Sequence, residues 1–126
     1  MKDYEAKIIS TRKDLSHKEK IMLMDTTAAT SLDELTQNAP EPVVIDVEDL
    51  AVLEIHNERS ENKDYHLYIV VDKNGEKYKT SSEAFYRQLT MIMDEMEGSG
   101  EDWAIIPERR PSKNYAGRDF LTCRLV

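Results

Sequence analysis

A single cysteine, Cys123, excludes an internal disulfide and fits a reducing compartment. Placed in a strand-like segment, it reads as a small buried hydrophobe rather than a nucleophile. Only four glycines occur, at positions 75, 98, 100 and 117, and none builds a phosphate-cradling loop of the Walker or dinucleotide kind. The three histidines, His17, His56 and His66, are dispersed and have no cysteine partner at zinc spacing. No apolar run approaches the roughly 20 residues that cross a bilayer, and the N-terminus has no apolar signal-peptide core. A non-secreted, cytoplasmic protein without a membrane segment is expected, with no cofactor and no metal. No nucleophile–base–orienter set is evident, so a non-enzymatic role is expected.

What is present is charge, unevenly placed. The 126 residues carry a net charge of −8. Residues 21–106 hold six Lys/Arg against nineteen Asp/Glu, whereas residues 107–126 hold five Lys/Arg against two Asp/Glu. The run Arg109–Arg118 contains Arg109, Arg110, Lys113 and Arg118 with no acid among them, and Tyr115 lies in its middle. Pro111 and Gly117 punctuate it, and strand-like segments flank it, so it reads as a basic loop. Such a loop can grip a phosphate backbone while a base stacks on the ring. Net acidity argues against strong indiscriminate DNA affinity, but placement of charge matters more than its total.

The length predicts a single domain over residues 1–126 with one core. Ala6–Ser10 is a strand candidate. Ser16-His17-Lys18-Glu19 has the capping-box form ahead of Ile21–Met24. Residues 31–35 offer a further helical turn, and 37–42 are a break. Val43–His56 alternates strongly, with an interruption at Asp49 that predicts a bulge or bend. Tyr65–Val71 and Glu76–Thr80 are strands joined by Asp72-Lys73-Asn74-Gly75, whose Asn-Gly pair favours a tight hairpin turn. Thr80-Ser81-Ser82-Glu83, a second capping-box form, opens the main helix, with Phe85, Leu89, Ile92 and Met96 on one face. Phe85 and the methionines at 91, 93 and 96 are its expected core side, and Trp103 is an expected core residue. Trp103–Ile106 and Asp119–Val126 close the chain as strands.

This order predicts a mainly β, α+β fold: a five- to six-stranded antiparallel barrel of the oligonucleotide-binding (OB) type, with one main helix before the last two strands. An open α+β sheet explains the pattern nearly as well. In strand alternation Tyr68 and Val70 share one face and Leu67, Ile69 and Val71 the other. If the latter face is core, Tyr68 is exposed and available for stacking. Lys63, on a polar loop, is a secondary candidate contact. Asp46, Glu48 and Asp49 read as a solvated strand face rather than a cation site, and His56 and His66 as polar strand ends.

Three stretches, Leu15–Thr27, Ala51–Glu58 and Pro111–Phe120, resemble small single-stranded DNA-binding proteins of bacteriophages and related mobile elements. The resemblance spans almost the whole chain and lies in texture rather than in a defining motif. It implies an oligonucleotide-binding barrel acting in DNA replication or recombination in the host cell cytoplasm. Its partners would be single-stranded DNA, a second copy in a homodimer, and replication or recombination proteins. The sequence ends Leu125-Val126 within a strand-like segment, so recruitment through a flexible acidic tail is not expected. The expected contacts are Arg109, Arg110, Lys113 and Arg118 for phosphate, Tyr115 and Tyr68 for bases, and Lys63 as a weaker site. The alternative is an acidic phage interaction protein that inhibits a host nucleic-acid enzyme by mimicking nucleic acid, supported by the charge balance of residues 21–106.

Overall fold

A computed structural model describes residues 3–38, 41–112 and 119–126. The fold is mixed α+β, with a five-stranded sheet, a two-stranded sheet and three α-helices among the described residues. None of these helices is long and apolar enough to cross a membrane. The chain alternates between two compact units. One comprises residues 1–31 and 48–81, the other residues 32–47 and 82–126.

In the first unit, β1 (Tyr4–Thr11), β2 (Thr30–Ser31), β3 (Val47–Asn57), β4 (Asp64–Asp72) and β5 (Lys77–Thr80) form one sheet in the order β1-β3-β4-β5-β2. The pairs β1–β3 and β4–β5 are antiparallel, but β2 adds to β5 in parallel. The sheet is therefore not wholly antiparallel as expected, and no closed barrel is found among the described residues. Between β1 and β2 lie α1 (His17–Met24) and a short 3₁₀ turn, Thr26–Ala28. The predicted capping box opens α1: Glu19 N–H donates to Ser16 Oγ at 3.2 Å, and Ser16 N–H donates to the Glu19 carboxylate at 3.1 Å. One sheet face carries Ala51, Leu53, Ile55 and Ile69, packed with Leu23 of α1 and with Ala29.

The long strand begins later than its alternation implies. Ile45 makes only an isolated bridge to Ile105, and β3 starts at Val47. Asp49 does not break it. The register shift lies on β1, between Ile8 and Ser10, and leaves Ile9 half exposed. Asp49 is a buried member of β3, and its Oδ1 accepts from the Arg12 amide at 2.9 Å and the Leu50 amide at 2.8 Å. The carboxylate thus takes over backbone pairing where β1 has ended. The β4–β5 hairpin also differs from a two-residue turn. Asp72 N–H donates to Glu76 C=O, and Gly75 alone in the loop has positive φ, at 86°. This is a three-residue loop in which glycine supplies the left-handed position. The Asp72 carboxylate accepts from the amides of Asn74 and Glu76, both at 2.9 Å.

The second unit contains α2 (Leu32–Asn38), α3 (Glu83–Met96), β6 (Ile105–Pro111) and β7 (Asp119–Leu125). The cap of α3 is Ser82 rather than Thr80. Its Oγ accepts from Phe85 N–H at 3.2 Å and donates to Leu121 C=O of β7 at 2.8 Å, which fixes the helix start against the hairpin. Phe85, Leu89, Ile92 and Met93 are buried as expected, whereas Met96 is only half-buried. Met91 is exposed and Trp103 only half-buried, against expectation. Cys123 is fully buried, and burial pushes its thiol up to about 12, as befits a packing residue.

Candidate nucleic-acid interface

The basic segment is not a loop throughout. Arg109, Arg110 and Pro111 belong to β6, where they pair with Leu121, Phe120 and Asp119 of β7. A proline is tolerated here because it occupies the last strand position of a two-stranded ribbon. Lys113, Tyr115 and Arg118 lie outside the described residues.

Strand alternation separates the two arginines. Arg109 shares a ribbon face with the buried Pro107, Leu121 and Cys123, and only 20% of its side chain is exposed. Its guanidinium is held by Asp119 at 2.7 Å and Asp33 of α2 at 3.5 Å. Asp119, the closer partner, raises the pKa of Arg109, and the arginine in turn lowers that of Asp119. Arg109 therefore clamps α2 to the hairpin rather than presenting its charge to a ligand.

The other face is open at its outer end. Arg110 lies directly opposite Phe120, which is 38% exposed despite being an aromatic hydrocarbon. Arg124 stands on the same face. Glu108 joins the two cations: one oxygen accepts from Arg110 at 2.7 Å, and the other lies 3.3 Å from Arg124 Nε. Both arginine side chains remain about half exposed, so these are surface ion pairs of small net value that a phosphate can displace. A cavity of about 350 Å³ adjoins Glu108 and Arg124, with Leu35, Pro42 and Val43 on its wall. An exposed ring opposite the exchangeable Arg110 guanidinium, with Arg124 further along the face, offers the two kinds of contact that a single strand uses, stacking and phosphate neutralisation.

Compared with protein-family models, curated proteins and solved structures, the chain has no match.

The remaining candidates separate by environment. Tyr68, expected on an open face, is only 4% exposed, because Ile69 and Val70 around it are also buried and both faces of central β4 are covered. It offers no ring to a base. Sequence reasoning missed Phe120, because its exposure beside Arg110 follows from the cross-strand register, which alternation within β7 cannot supply without its partner strand. Lys63 belongs to the first unit, in the segment between β3 and β4, and its Nζ lies 3.2 Å from Glu58. Glu48 pairs with Lys13, and among the described residues no group of three or more His, Cys, Asp or Glu is placed to hold a metal ion.

Glu58 also meets His56, whose two ring nitrogens each have a carboxylate at 2.7 Å, Nδ1 with Asp64 and Nε2 with Glu58. Only the imidazolium donates from both nitrogens. Hydrogen bonding to Asp64, then to Glu58, accordingly raises the His56 pKa above its ordinary 6.5. A raised folded-state pKa gives a contribution that is complete below the unfolded value and vanishes as pH rises through the folded one. The melting-temperature advantage of the parent over His56→Gln is therefore expected to be largest in mild acid and to shrink as pH rises through the raised folded-state pKa. An advantage independent of pH would show that the bridge contributes no charge-dependent stability.

Proposed function

We propose that this protein is a non-enzymatic single-stranded DNA-binding protein of phage or mobile-element type, acting in DNA replication or recombination without strong sequence preference. The observation that carries the reading is one face of the β6–β7 ribbon, where Arg110 stands opposite a solvent-exposed Phe120 and Arg124 lies further along the same face. Lys113, Tyr115 and Arg118 follow within the segment joining the two strands and extend the same chemistry. The sequence resemblance points the same way. The finer architecture belonging to this reading is a barrel of the OB type, supported by the position of α3 before the last strand pair. Arg110, Lys113, Arg118 and Arg124 neutralise phosphates, Phe120 and Tyr115 stack on bases, and Arg109 supports the ribbon from behind.

Fluorescence anisotropy with labelled oligothymidine at low and moderate salt tests the reading, and no binding at low salt would end it. Phe120→Ala is expected to weaken binding by about 1–3 kcal/mol while leaving the salt slope nearly unchanged, because stacking releases no counterions. Unaltered affinity would remove Phe120 from the interface.

The second reading, an acidic protein that occupies the basic channel of a host nucleic-acid enzyme, is favoured by one observation. Each described arginine of the hairpin already has a carboxylate partner. Capture of a host nucleic-acid enzyme that survives nuclease treatment, with no affinity for oligothymidine, would select it.

A further inference from the structure

The five-stranded sheet ends on β1 at one edge and on β2 at the other. β2 is only two residues long, but β1 runs for eight. Strand β1 pairs with β3 along one side, and among the described residues no strand pairs with its other side. An edge of that length is a template for a further strand, which is why proteins commonly cover or distort such edges. Here the distortion comes late: the register shift lies between Ile8 and Ser10 and leaves Tyr4–Ile8 regular.

Two hydrogen bonds at the end of the ladder fix the direction of each backbone group. The Asp3 carbonyl accepts from Glu58 N–H at 2.8 Å, while Asn57 N–H turns away to the Lys63 carbonyl at 2.7 Å. Asp3 is thus bonded across the ladder, and Tyr4, opposite Asn57, is not. Bonded and non-bonded pairs alternate in an antiparallel ladder. Glu5 and Lys7 therefore direct their backbone groups at β3, and Tyr4, Ala6 and Ile8 direct theirs outward. Side chains alternate too. Ala6 and Ile8 pack against the apolar cluster of the sheet, whereas Glu5 and Lys7 are exposed.

We propose that β1 pairs antiparallel with β1 of a second copy of this chain about a two-fold axis at Ala6, joining two sheets edge to edge. In that register Tyr4 faces the partner's Ile8, Ala6 faces the partner's Ala6, and each such pair exchanges two backbone hydrogen bonds between outward groups. Glu5 then stands opposite the partner's Lys7 on both sides of the axis. Charge selects this register over its neighbours. An axis at Glu5 or at Lys7 sets each residue against its own like charge, and an axis at Tyr4 sets Asp3 against the partner's Glu5. Like charges directly opposite destabilise a ladder. An axis at Ile8 carries the pairing into the irregular stretch at Ile9. Tyr4 against Ile8 is an aromatic and β-branched pair, a favourable cross-strand combination, and it covers a ring that is 41% exposed. The same edge is used on both copies, so assembly closes at the dimer.

The test uses the full chain without nucleic acid, so its outcome is independent of the binding reading. Sedimentation equilibrium is expected to show monomer and dimer with a Kd of roughly 10–100 μM, since one strand pair buries less than a standard interface. Amide exchange should slow with rising protein concentration at Tyr4, Ala6 and Ile8 and stay independent of concentration at Glu5 and Lys7. Ala6→Pro removes an N–H that β3 does not use, and an edge strand accepts proline, so the fold should persist while the dimer is lost. Glu5→Lys and Lys7→Glu should each weaken dimerisation at least about tenfold. An equimolar mixture of these two variants should restore it, because every opposed pair is then again of opposite charge. A chain that stays monomeric up to roughly 1 mM, a dimer whose Tyr4, Ala6 and Ile8 amides exchange at the monomer's rate, or folded reversal variants that fail to rescue each other would overturn the proposal.

Discussion

Replacing Arg110, Lys113, Arg118 and Arg124 together by glutamine is expected to flatten the salt dependence of oligothymidine binding by about 3 log–log units, at roughly 0.7 for each phosphate that is no longer neutralised. Between roughly 50 and 200 mM salt, the parent should then lose about fifty-fold more affinity than the variant. The described members of this set, Arg110 and Arg124, are exposed and share Glu108, so their removal releases one surface carboxylate and disturbs no buried group. Changes at such positions usually stay within about 0.5 kcal/mol of stability. Arg109 is left in place because it ties Asp33 to Asp119 behind the ribbon, and its loss would mix a structural effect into the binding data. Parallel salt slopes for parent and variant, with both folded, would move the phosphate contacts off the hairpin.

The second large effect is on stability. Phe85→Ala is expected to cost about 3–5 kcal/mol, read from urea denaturation, because the ring is fully buried and truncation both removes apolar burial and leaves a cavity. Against a typical total of about 5–15 kcal/mol, that loss is large. It should also reach the interface indirectly. Phe85 follows Ser82, whose hydroxyl holds the Leu121 carbonyl, and Leu121 is the neighbour of Phe120 on β7. The variant should thus bind oligothymidine less well as it approaches its unfolding transition, yet keep the parental salt slope where it remains folded. A cost below about 1 kcal/mol would mean that the site around Phe85 closes over the missing ring.

The two experiments differ in kind. The charge variant changes the slope and spares the fold. The core variant spares the slope and weakens the fold. Phe120→Ala stands between them, changing affinity with neither signature, because its ring is exposed and uncharged.

Local chemistry was legible in the sequence wherever the partner lies within a few residues. The Ser16–Glu19 capping box, the main helix with its Phe85–Leu89–Ile92 stripe, the Gly75 turn and the burial of Cys123 all follow from spacing and residue type. So does the concentration of positive charge in residues 107–126. These features depend on backbone propensity, on hydrogen bonds within one turn, or on composition, and none requires a distant strand. What the tertiary structure decided depends on long-range pairing. Alternation within β4 assigned Tyr68 and Ile69 to opposite faces but could not reveal that both faces are covered. The bulge expected at Asp49 lies across the ladder on β1, because register is a property of two strands and either can absorb an extra residue. The basic run looked uniform until β6 paired with β7. That pairing turned Arg109 inward to Asp33 and Asp119 and set Arg110 beside Phe120, since neighbours along a strand point to opposite faces. Charge was written in the sequence, and its direction was decided by the strand opposite.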